Sequence, residues 1–292
     1  MRIVAPFAPG GPADFIARVL AERLAPVWNQ PVVVENRPGA GGNVGAEHVA
    51  RTPPDGHTLL VAANTLVTAP ALVPRLAFDP MRDFTPIAQV ACHPHVLVVH
   101  PSVPARSVAE LQDLARAQGG ALTIASAGVG TPTHLASELF RIRSGVTFTP
   151  VPYQGAAPAH TALLSGQVQA MFNNPVLAGP AIRDGRLRGL ATCGLARSPQ
   201  LPELPTMAES GFPGFEAGTW YGLLGPAGIP APIVERIHAD VQRVLAQPDL
   251  RARFAAQGLE PLDAGPEAFA RRMREELARW TEVIRTAGIR AD

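Results

Sequence analysis

The chain has 292 residues, of which 47% are hydrophobic and 17% are charged, and its formal net charge is +1. This length allows about two domains of ordinary size. The balanced charge, without a basic stripe, disfavours nucleic acid as a partner. All 25 basic side chains are arginine, which excludes a Schiff-base lysine and a Walker A phosphate loop. No apolar run reaches the roughly 18 residues that a membrane helix needs.

The N-terminal hundred residues alternate between strand and helix patterns. An apolar run ends at Pro9-Gly10-Gly11, and a helix with Phe15 and Val19 on its apolar face follows directly. The next predicted elements are a strand at 31–35, a glycine-rich turn at 37–45 with a helix at 46–50, a strand at 58–62, a polar loop at 63–68, and strands at 87–90 and 96–99.

A domain boundary is predicted near residues 101–104. Beyond it, a capping box of Ser107 and Glu110 opens a helix that ends at Ala117. A strand at 123–125 then turns through residues 126–133 into another helix. The remaining predicted elements are strands at 168–172 and 187–192, a segment rich in Pro and Gly at 199–228, and two amphipathic helices that begin at Pro230 and after Pro266.

These patterns predict an α/β protein with two domains. Domain I is discontinuous and combines residues 1–100 with residues 216–292. Domain II comprises residues 101–215.

Two turns, at residues 9–11 and 126–133, lead from a strand directly into a helix. Free backbone N–H groups and the helix dipole favour an anion at such a position. One interpretation is that the polar residues only cap turns. The functional interpretation is that two helix N-termini from two domains bind one anionic ligand. Because the first turn has no basic side chain, binding there would rest on N–H groups, hydroxyls and water.

The signature of a serine hydrolase is incomplete. A nucleophile elbow requires Gly-x-Ser-x-Gly, whereas residues 124–128 read Ile-Ala-Ser-Ala-Gly. A small-acid hydrolase that uses Ser126 with His134 or His160 is the enzyme alternative, and Ser126→Ala would abolish its turnover.

Metal and dinucleotide signatures are also incomplete, so no cofactor is predicted. Cys92, His93 and His95 lack a fourth ligand. The glycine-rich residues 39–45 have Val where the third glycine of a dinucleotide fingerprint belongs. Cys92 and Cys193 form no CxxC pattern, and both a pair of thiols and a disulfide remain open.

Residues 33–45, Val-Val-Glu-Asn-Arg-Pro-Gly-Ala-Gly-Gly-Asn-Val-Gly, follow Pro-Phe-Ala-Pro-Gly-Gly at 6–11. Together they closely resemble the Bug family, the solute-binding receptors of tripartite tricarboxylate transporters. The segments at 54–59, 151–155 and 204–211 extend the similarity over nearly the whole chain.

The resemblance implies a two-domain periplasmic binding protein fold of type II character, each domain a mixed sheet flanked by helices, with the ligand in the interdomain cleft. It implies a small organic carboxylate as ligand, integral membrane permease subunits as partners, a monomer, and no catalysis. A periplasmic location is expected. Because Met1 directly precedes the first strand, the secretory leader is expected to have been removed or missed.

In this family the loops that match residues 7–14 and 126–133 hold a ligand carboxylate, often through ordered waters. The distal end of the pocket is expected to be formed by Tyr153, Gln154, Asn173 and Trp220. Trp220 fits hinge-region core equally well. The expected ligand-binding residues are Phe7, Pro9, Gly10, Gly11, Pro12, Asp14, Asn64, Thr65, Ser126, Gly130, Thr131, Thr133, Gln154, Asn173 and Trp220.

One departure from the family concerns ligand class. Many members carry an acidic residue where this chain has Asn173, and its loss predicts a carboxylate that lacks an amino group. The sequence does not identify that carboxylate. It also leaves open a second role for the same fold, delivery of the ligand to a membrane-bound sensor kinase.

Overall fold

The computed structural model describes residues 1–289, apart from the side chain of Asp263. The chain divides into two compact units. Unit 1 contains Met1–Cys92 and Trp220–Thr281, and unit 2 contains His93–Thr219 with the described residues from Glu282 on. Among residues 1–289, no helix combines the length and the apolar character needed to cross a bilayer.

Unit 1 is built on a mixed sheet. The elements that lie wholly or mostly in it are β1 (Arg2–Ala5), α1 (Pro12–Trp28), β2 (Val33–Asn36), α2 (Asn43–Ala50), β3 (Thr58–Ala63), α3 (Thr65–Leu72), β4 (Phe84–Pro94), β10 (Gly218–Pro226), α8 (Ala231–Leu245), α9 (Pro248–Ala256), β11 (Glu260–Ala264) and α10 (Pro266–Ala287). In the described chain the six strands follow the order β11-β4-β10-β3-β1-β2. Strand β1 is parallel to β2 and β3, whereas β10 is antiparallel to β3.

Helix α1 shows how the sequence sets an element of this unit. Pro12 occupies its first turn, where the fixed φ suits a helix and no N–H is needed. The helix ends at Asn29, whose left-handed backbone (φ 48°) caps the last turn. Ile16, Leu20 and Leu24 are fully buried, because helical spacing puts them on the face that packs against the sheet.

Unit 2 contains a second mixed sheet. Its elements are β5 (Val96–Val99), α4 (Val108–Ala117), β6 (Thr123–Ser126), α5 (Pro132–Ser144), β7 (Thr149–Pro152), α6 (Ala156–Leu164), β8 (Ala170–Asn173), α7 (Pro175–Arg183) and β9 (Arg188–Thr192). The described strands follow the order β7-β6-β8-β5-β9. Strand β6 is parallel to β7 and β8, and β5 runs antiparallel to β8 and β9.

The predicted α/β architecture of mixed sheets flanked by helices is confirmed. Half of the predicted capping box is present, since Ser107 Oγ accepts the N–H of Glu110 at 3.1 Å. The Glu110 side chain accepts the N–H of Arg106, at 2.7 Å, rather than that of Ser107. The predicted loop at 63–68 is wrong, because α3 begins at Thr65. Cys92 and Cys193 are not joined by a disulfide, which closes the disulfide alternative.

The units divide the chain at slightly different places from the sequence-based domains. The prediction assigned residues 93–100 to domain I, but β5 pairs with β8 and β9 in the sheet of unit 2. Ala217, also assigned to domain I, donates its N–H to Cys193 O at 3.0 Å within unit 2. Strand patterns identify a strand but carry no information about which strands it pairs with.

Gly45 in α2 packs against the chain that leaves β1. A Cβ atom at Gly45 would lie 2.7 Å from Pro6 Cβ and 3.0 Å from Arg37 O. We expect Gly45→Ala to lower the free energy of unfolding by about 1–3 kcal/mol, the usual cost of an overpacked site. Urea denaturation followed by circular dichroism measures this change.

Gly179→Ala is the matched control, since Gly179 also lies inside a helix. The atoms nearest to a Cβ there belong to the flexible Arg183 side chain, the closest at 3.3 Å. Because alanine favours helix, this variant is expected to be neutral or to gain up to about 1 kcal/mol. Equal stability of Gly45→Ala and wild type would contradict the packing argument.

Candidate functional site

In unit 1 the predicted site residues gather at one edge of the sheet. Val4 of β1 pairs with Glu35 of β2 and with Leu60 of β3, all three strands being parallel. The loops that follow β1 and β3 therefore leave from the same edge. In open α/β sheets this carboxyl-terminal edge is where ligands bind.

The loop after β1 presents backbone N–H groups. Gly10 adopts φ +88°, a left-handed conformation that glycine tolerates without strain. Gly11 is the N-cap of α1 and makes no side-chain capping bond. The N–H groups of the first turn are therefore not satisfied by a cap, which suits them to an acceptor such as a carboxylate.

Asp14 is placed at this loop, but its carboxylate is used by protein groups. Its Oδ2 accepts the N–H of Gly10 and the Nε–H of Arg18, both at 2.9 Å, and its Oδ1 accepts Asn36 Nδ2 at 2.9 Å. Asn36 also donates to Phe7 O at 3.1 Å. We therefore assign Asp14 to holding the loop, a role that the sequence pattern did not reveal.

The ionisation of Asp14 follows from these contacts. Burial opposes its charged form, but the bonds from Arg18, Gly10 and Asn36 outweigh burial and lower the pKa of Asp14 below its ordinary value. The carboxylate is therefore ionised throughout the physiological pH range.

Asn64 and Thr65 reach the same edge at the end of β3. Asn64 is buried, and its carbonyl accepts the N–H groups of Val67 and Thr68 at 3.1 and 3.2 Å. The residues thus begin a helix rather than a loop.

Trp220 lies in the hydrophobic core of unit 1 rather than at the surface of a pocket. Its side chain is 1% exposed, and its indole Nε1–H donates to Glu276 Oε2 at 2.8 Å. Its ring meets Phe269 edge-on, with 5.1 Å between centroids. Of the two interpretations that the sequence left open, the structure supports the core role, because a buried indole needs an internal acceptor.

Two large grooves of unit 1 lie elsewhere. Cavities of about 700 and 520 Å³ both lie against α8, the first lined by residues such as Val234 and Pro266 and the second by residues such as Ile237 and Trp28. Neither contains a predicted site residue.

In unit 2 the carboxyl-terminal edge again collects the predicted residues. Ser126 of β6 pairs with Pro152 of β7, and Ser126 O accepts the N–H of Tyr153 at 2.9 Å. Gln154 follows as an exposed residue. Asn173 ends β8, which is parallel to β6. Residues far apart in sequence are thus brought to one sheet edge.

The loop at 126–133 is held by its own side chains. Thr131 is the N-cap of α5, and its Oγ1 donates to Gly128 O at 2.7 Å. Thr133 Oγ1 accepts the N–H of Ala127 at 2.9 Å. His134 Nδ1 accepts the N–H of Gly130 at 3.1 Å. The sequence suggested His134 only as a partner of Ser126 in the hydrolase alternative, although its position in the first turn of the helix is visible in the sequence.

Ser126 is buried in a setting that does not match a catalytic triad. Within residues 1–289, its Oγ has no hydrogen-bond partner. The Nδ1 atoms of His134 and His160 instead contact Gly130 N and Asn173 Nδ2. Burial lowers the pKa of both histidines. The negative charge of Glu138 opposes this effect at His134, and the positive charge of Arg186 adds to it at His160.

The segment at 92–95 does not gather metal ligands in the described structure. No group of three His, Cys, Asp or Glu side chains among the described residues is arranged to hold a metal ion. Burial lowers the pKa of His93 to about 4 and, with the help of His93, that of His95 to about 3. Both rings are therefore neutral at physiological pH.

Three known proteins illustrate what this chain is similar to in sequence and in fold. BugT of Bordetella pertussis is 36% identical over 290 residues, which cover 99% of this chain and 89% of BugT. The structure of Rhodopseudomonas palustris Rpa4515 with adipate has a TM-score of 0.83 and 35% identity, covering 100% and 98% of the two chains. MatC from Rhodopseudomonas palustris with bound malate has a TM-score of 0.79 and 37% identity, covering 97% and 98%.

Two mixed sheets flanked by helices, with loops collected at their carboxyl-terminal edges, define the periplasmic binding protein class, which is represented among the similar solved structures. The profile of the TctC family, the tripartite tricarboxylate transporter family receptor, matches residues 16–289. The chain belongs to this family of Bug-type receptors, whose members and structural neighbours are binding proteins.

The Asp14 contacts generate a pH-dependent prediction. We expect Asp14→Asn to lower the free energy of unfolding at pH 7 by about 1–3 kcal/mol, because it removes a charge-assisted acceptor from a buried network. Since the pKa of Asp14 is lowered in the folded state, its contribution is complete above the ordinary Asp pKa of about 3.9 and is lost as pH falls through the lowered value. The two proteins should therefore approach equal stability in acid.

Asp113→Asn is the control for Asp14→Asn. Asp113 is an exposed carboxylate that forms an i,i+3 ion pair with Arg116 at 2.9 Å. Its replacement is expected to change stability by at most about 0.5 kcal/mol. A loss for Asp14→Asn that stays constant from pH 7 to acid would contradict the ionised network.

Proposed function

We propose that this chain is a periplasmic receptor that binds a small organic carboxylate and delivers it to the membrane permease subunits of a tripartite tricarboxylate-type transporter. The observation that carries the proposal is the arrangement of the loops at 7–14 and 126–133. Each follows a strand at the carboxyl-terminal edge of its sheet and leads into a helix N-terminus. The proposed ligand-binding groups are the backbone N–H groups and hydroxyls of these loops.

Backbone donors provide enough free energy for such a ligand. A hydrogen bond to a charged group contributes about 1.5–3 kcal/mol. Micromolar affinity corresponds to about 8 kcal/mol, and several such bonds reach this value after ordering costs are subtracted. Because the loop that includes Gly10 and Gly11 contains no basic side chain, ligand release does not require breaking a strong ion pair. This suits a receptor that hands its ligand on.

The proposed ligand class is dicarboxylate. Adipate and malate, the ligands of two similar proteins, both carry two carboxylates. The relatives differ in the length of the acid that they hold, which is consistent with recognition by N–H groups and water rather than by fixed ion pairs. For this chain we propose adipate, malate and succinate as the first acids to test.

The proposal includes binding without turnover and without a cofactor. Ser126 Oγ has no histidine bonded to it in the described structure, so the activation that a serine nucleophile requires is not supported. We further propose that the receptor acts as a monomer in the periplasm, because its expected partner is a permease that receives the ligand from outside the membrane.

Thr133→Val tests the loop at 126–133. Valine keeps the volume of threonine but removes the Oγ1 atom that accepts the N–H of Ala127. We expect the Kd for a bound dicarboxylate to rise about tenfold, the effect of losing about 1.4 kcal/mol of loop positioning. Isothermal titration with adipate, malate and succinate measures the change.

Thr149→Val is the matched control, because Thr149 begins β7 at the opposite edge of the sheet and its Oγ1 donates to Gly120 O at 2.9 Å. This variant is expected to bind like wild type. Absence of binding between wild type and every acid in the panel would overturn the proposed ligand class. An unchanged Kd for Thr133→Val would overturn the role of the loop.

A further inference from the structure

The end of strand β8 carries a buried amide that is hydrogen-bonded through both its oxygen and its nitrogen. Asn173 is 0% exposed. Its Oδ1 accepts the backbone N–H of Asn174 at 2.8 Å, and its Nδ2 lies 2.8 Å from His160 Nδ1 on α6. Asn174 in turn is the N-cap of α7 and accepts the N–H of Val176 at 3.2 Å. The carboxamide of Asn173 is therefore fixed on both sides.

These contacts determine where the protons lie. A backbone N–H can only donate, so the atom that faces Asn174 N must be the amide oxygen of Asn173. The amide nitrogen then faces His160, and because it can only donate, His160 Nδ1 must accept. The imidazole consequently carries its proton on Nε2 and is neutral. A protonated ring would place two N–H groups against each other.

The surroundings favour the same neutral state. Burial and the positive charge of Arg186 lower the pKa of His160. The residues bonded to the pair, Asn174 and through it Val176, add no ionised group. The Asn173–His160 pair itself therefore presents N–H groups and carries no charge.

We propose that Asn173 and His160 form a neutral pair that sets the ligand class of the site, with Asn173 holding His160 as the Nε2–H tautomer so that dicarboxylates are bound and α-amino acids are rejected. This inference rests on the proposed carboxylate-binding function. His160 is only partly buried, so its Nε2–H is available to a ligand oxygen.

The chemistry behind this preference is a matter of donors and acceptors. A carboxylate oxygen accepts a hydrogen bond from His160 Nε2–H. A ligand ammonium can only donate, and the neutral pair offers it an N–H group and no carboxylate. Removing an ammonium from water without an acidic partner is costly. Two ligands that differ only by the ammonium should therefore differ strongly in affinity.

The first experiment tests the tautomer in the ligand-free protein. Long-range ¹H–¹⁵N spectra distinguish a protonated from an unprotonated ring nitrogen, and we expect His160 Nδ1 to be unprotonated at pH 7. In Asn173→Asp a carboxylate faces the ring and favours the charged imidazolium, so the pKa of His160 should rise by about 1 or more. A proton on Nδ1 in wild type, or an unchanged pKa in Asn173→Asp, overturns the proposal.

The second experiment measures selectivity with two matched pairs of probes, succinate with L-aspartate and glutarate with L-glutamate. Wild type is expected to bind at least one diacid, and to bind it at least about tenfold more tightly than the amino acid of the same pair, the size of one charge-assisted hydrogen bond. Asn173→Asp, measured above the pKa of its His160, is expected to reduce this ratio about tenfold or more. His160 Nδ1–H then donates to the buried carboxylate, and Nε2 becomes an acceptor that can bond the ammonium.

Variants of His160 keep the test decisive if Asn173→Asp folds poorly. His160→Gln retains an acceptor for Asn173 and a neutral donor, so it should keep the preference for the diacid. His160→Leu has neither and should lose it. Equal selectivity of His160→Leu and wild type overturns the pair as the specificity element.

The outcomes separate this inference from the function on which it rests. If wild type binds none of these diacids, nor adipate or malate, the proposed function fails. If wild type binds a diacid and Asn173→Asp leaves the diacid-to-amino-acid ratio unchanged, the proposed function stands and the inference about Asn173 and His160 fails.

Discussion

Parallel strands all end at the same edge of their sheet, and this constraint assembles the candidate site. In unit 1 it places the loops after β1 and β3 side by side, and in unit 2 it brings Ser126, Gln154 and Asn173 to one edge although they come from three strand ends. A crossover helix must return the chain to the opposite edge after each parallel strand. Helix N-termini therefore follow these strand ends, and the same topology that builds the sheet supplies the N–H groups.

Side chains in these loops act mainly on the loops themselves. Asp14 bonds to Gly10 N, and Thr133 bonds to Ala127 N. His134 bonds to Gly130 N. Each bond fixes a glycine-containing segment whose backbone would otherwise be free to move, which reduces the entropy lost when a ligand binds. Asp14 places a carboxylate in a site proposed for anions. Its charge is already compensated by Arg18, which is consistent with a role in holding the loop.

Two neutral histidines, His134 and His160, also orient groups at the end of the unit 2 sheet. Burial lowers the pKa of His134 and His160, and both offer an unprotonated Nδ1 to a neighbouring N–H. Imidazole in this state has one donor and one acceptor, so each ring orients a neighbour on one side and presents an N–H on the other. Under the proposed function, selection among small acids depends on the direction of donors rather than on the amount of positive charge.

The sequence by itself determined the alternation of strands and helices, the helix starts at Pro12 and Ser107, and the Bug-type signature, because periodicity and capping depend on neighbours within a few residues. Only the tertiary structure decided which sheet β5 joins, that Asp14 holds its loop through Asn36, and that Trp220 is core. The physical reason is distance along the chain. Contacts such as Trp220 Nε1 to Glu276 join residues that local patterns treat separately, and their existence follows from packing alone.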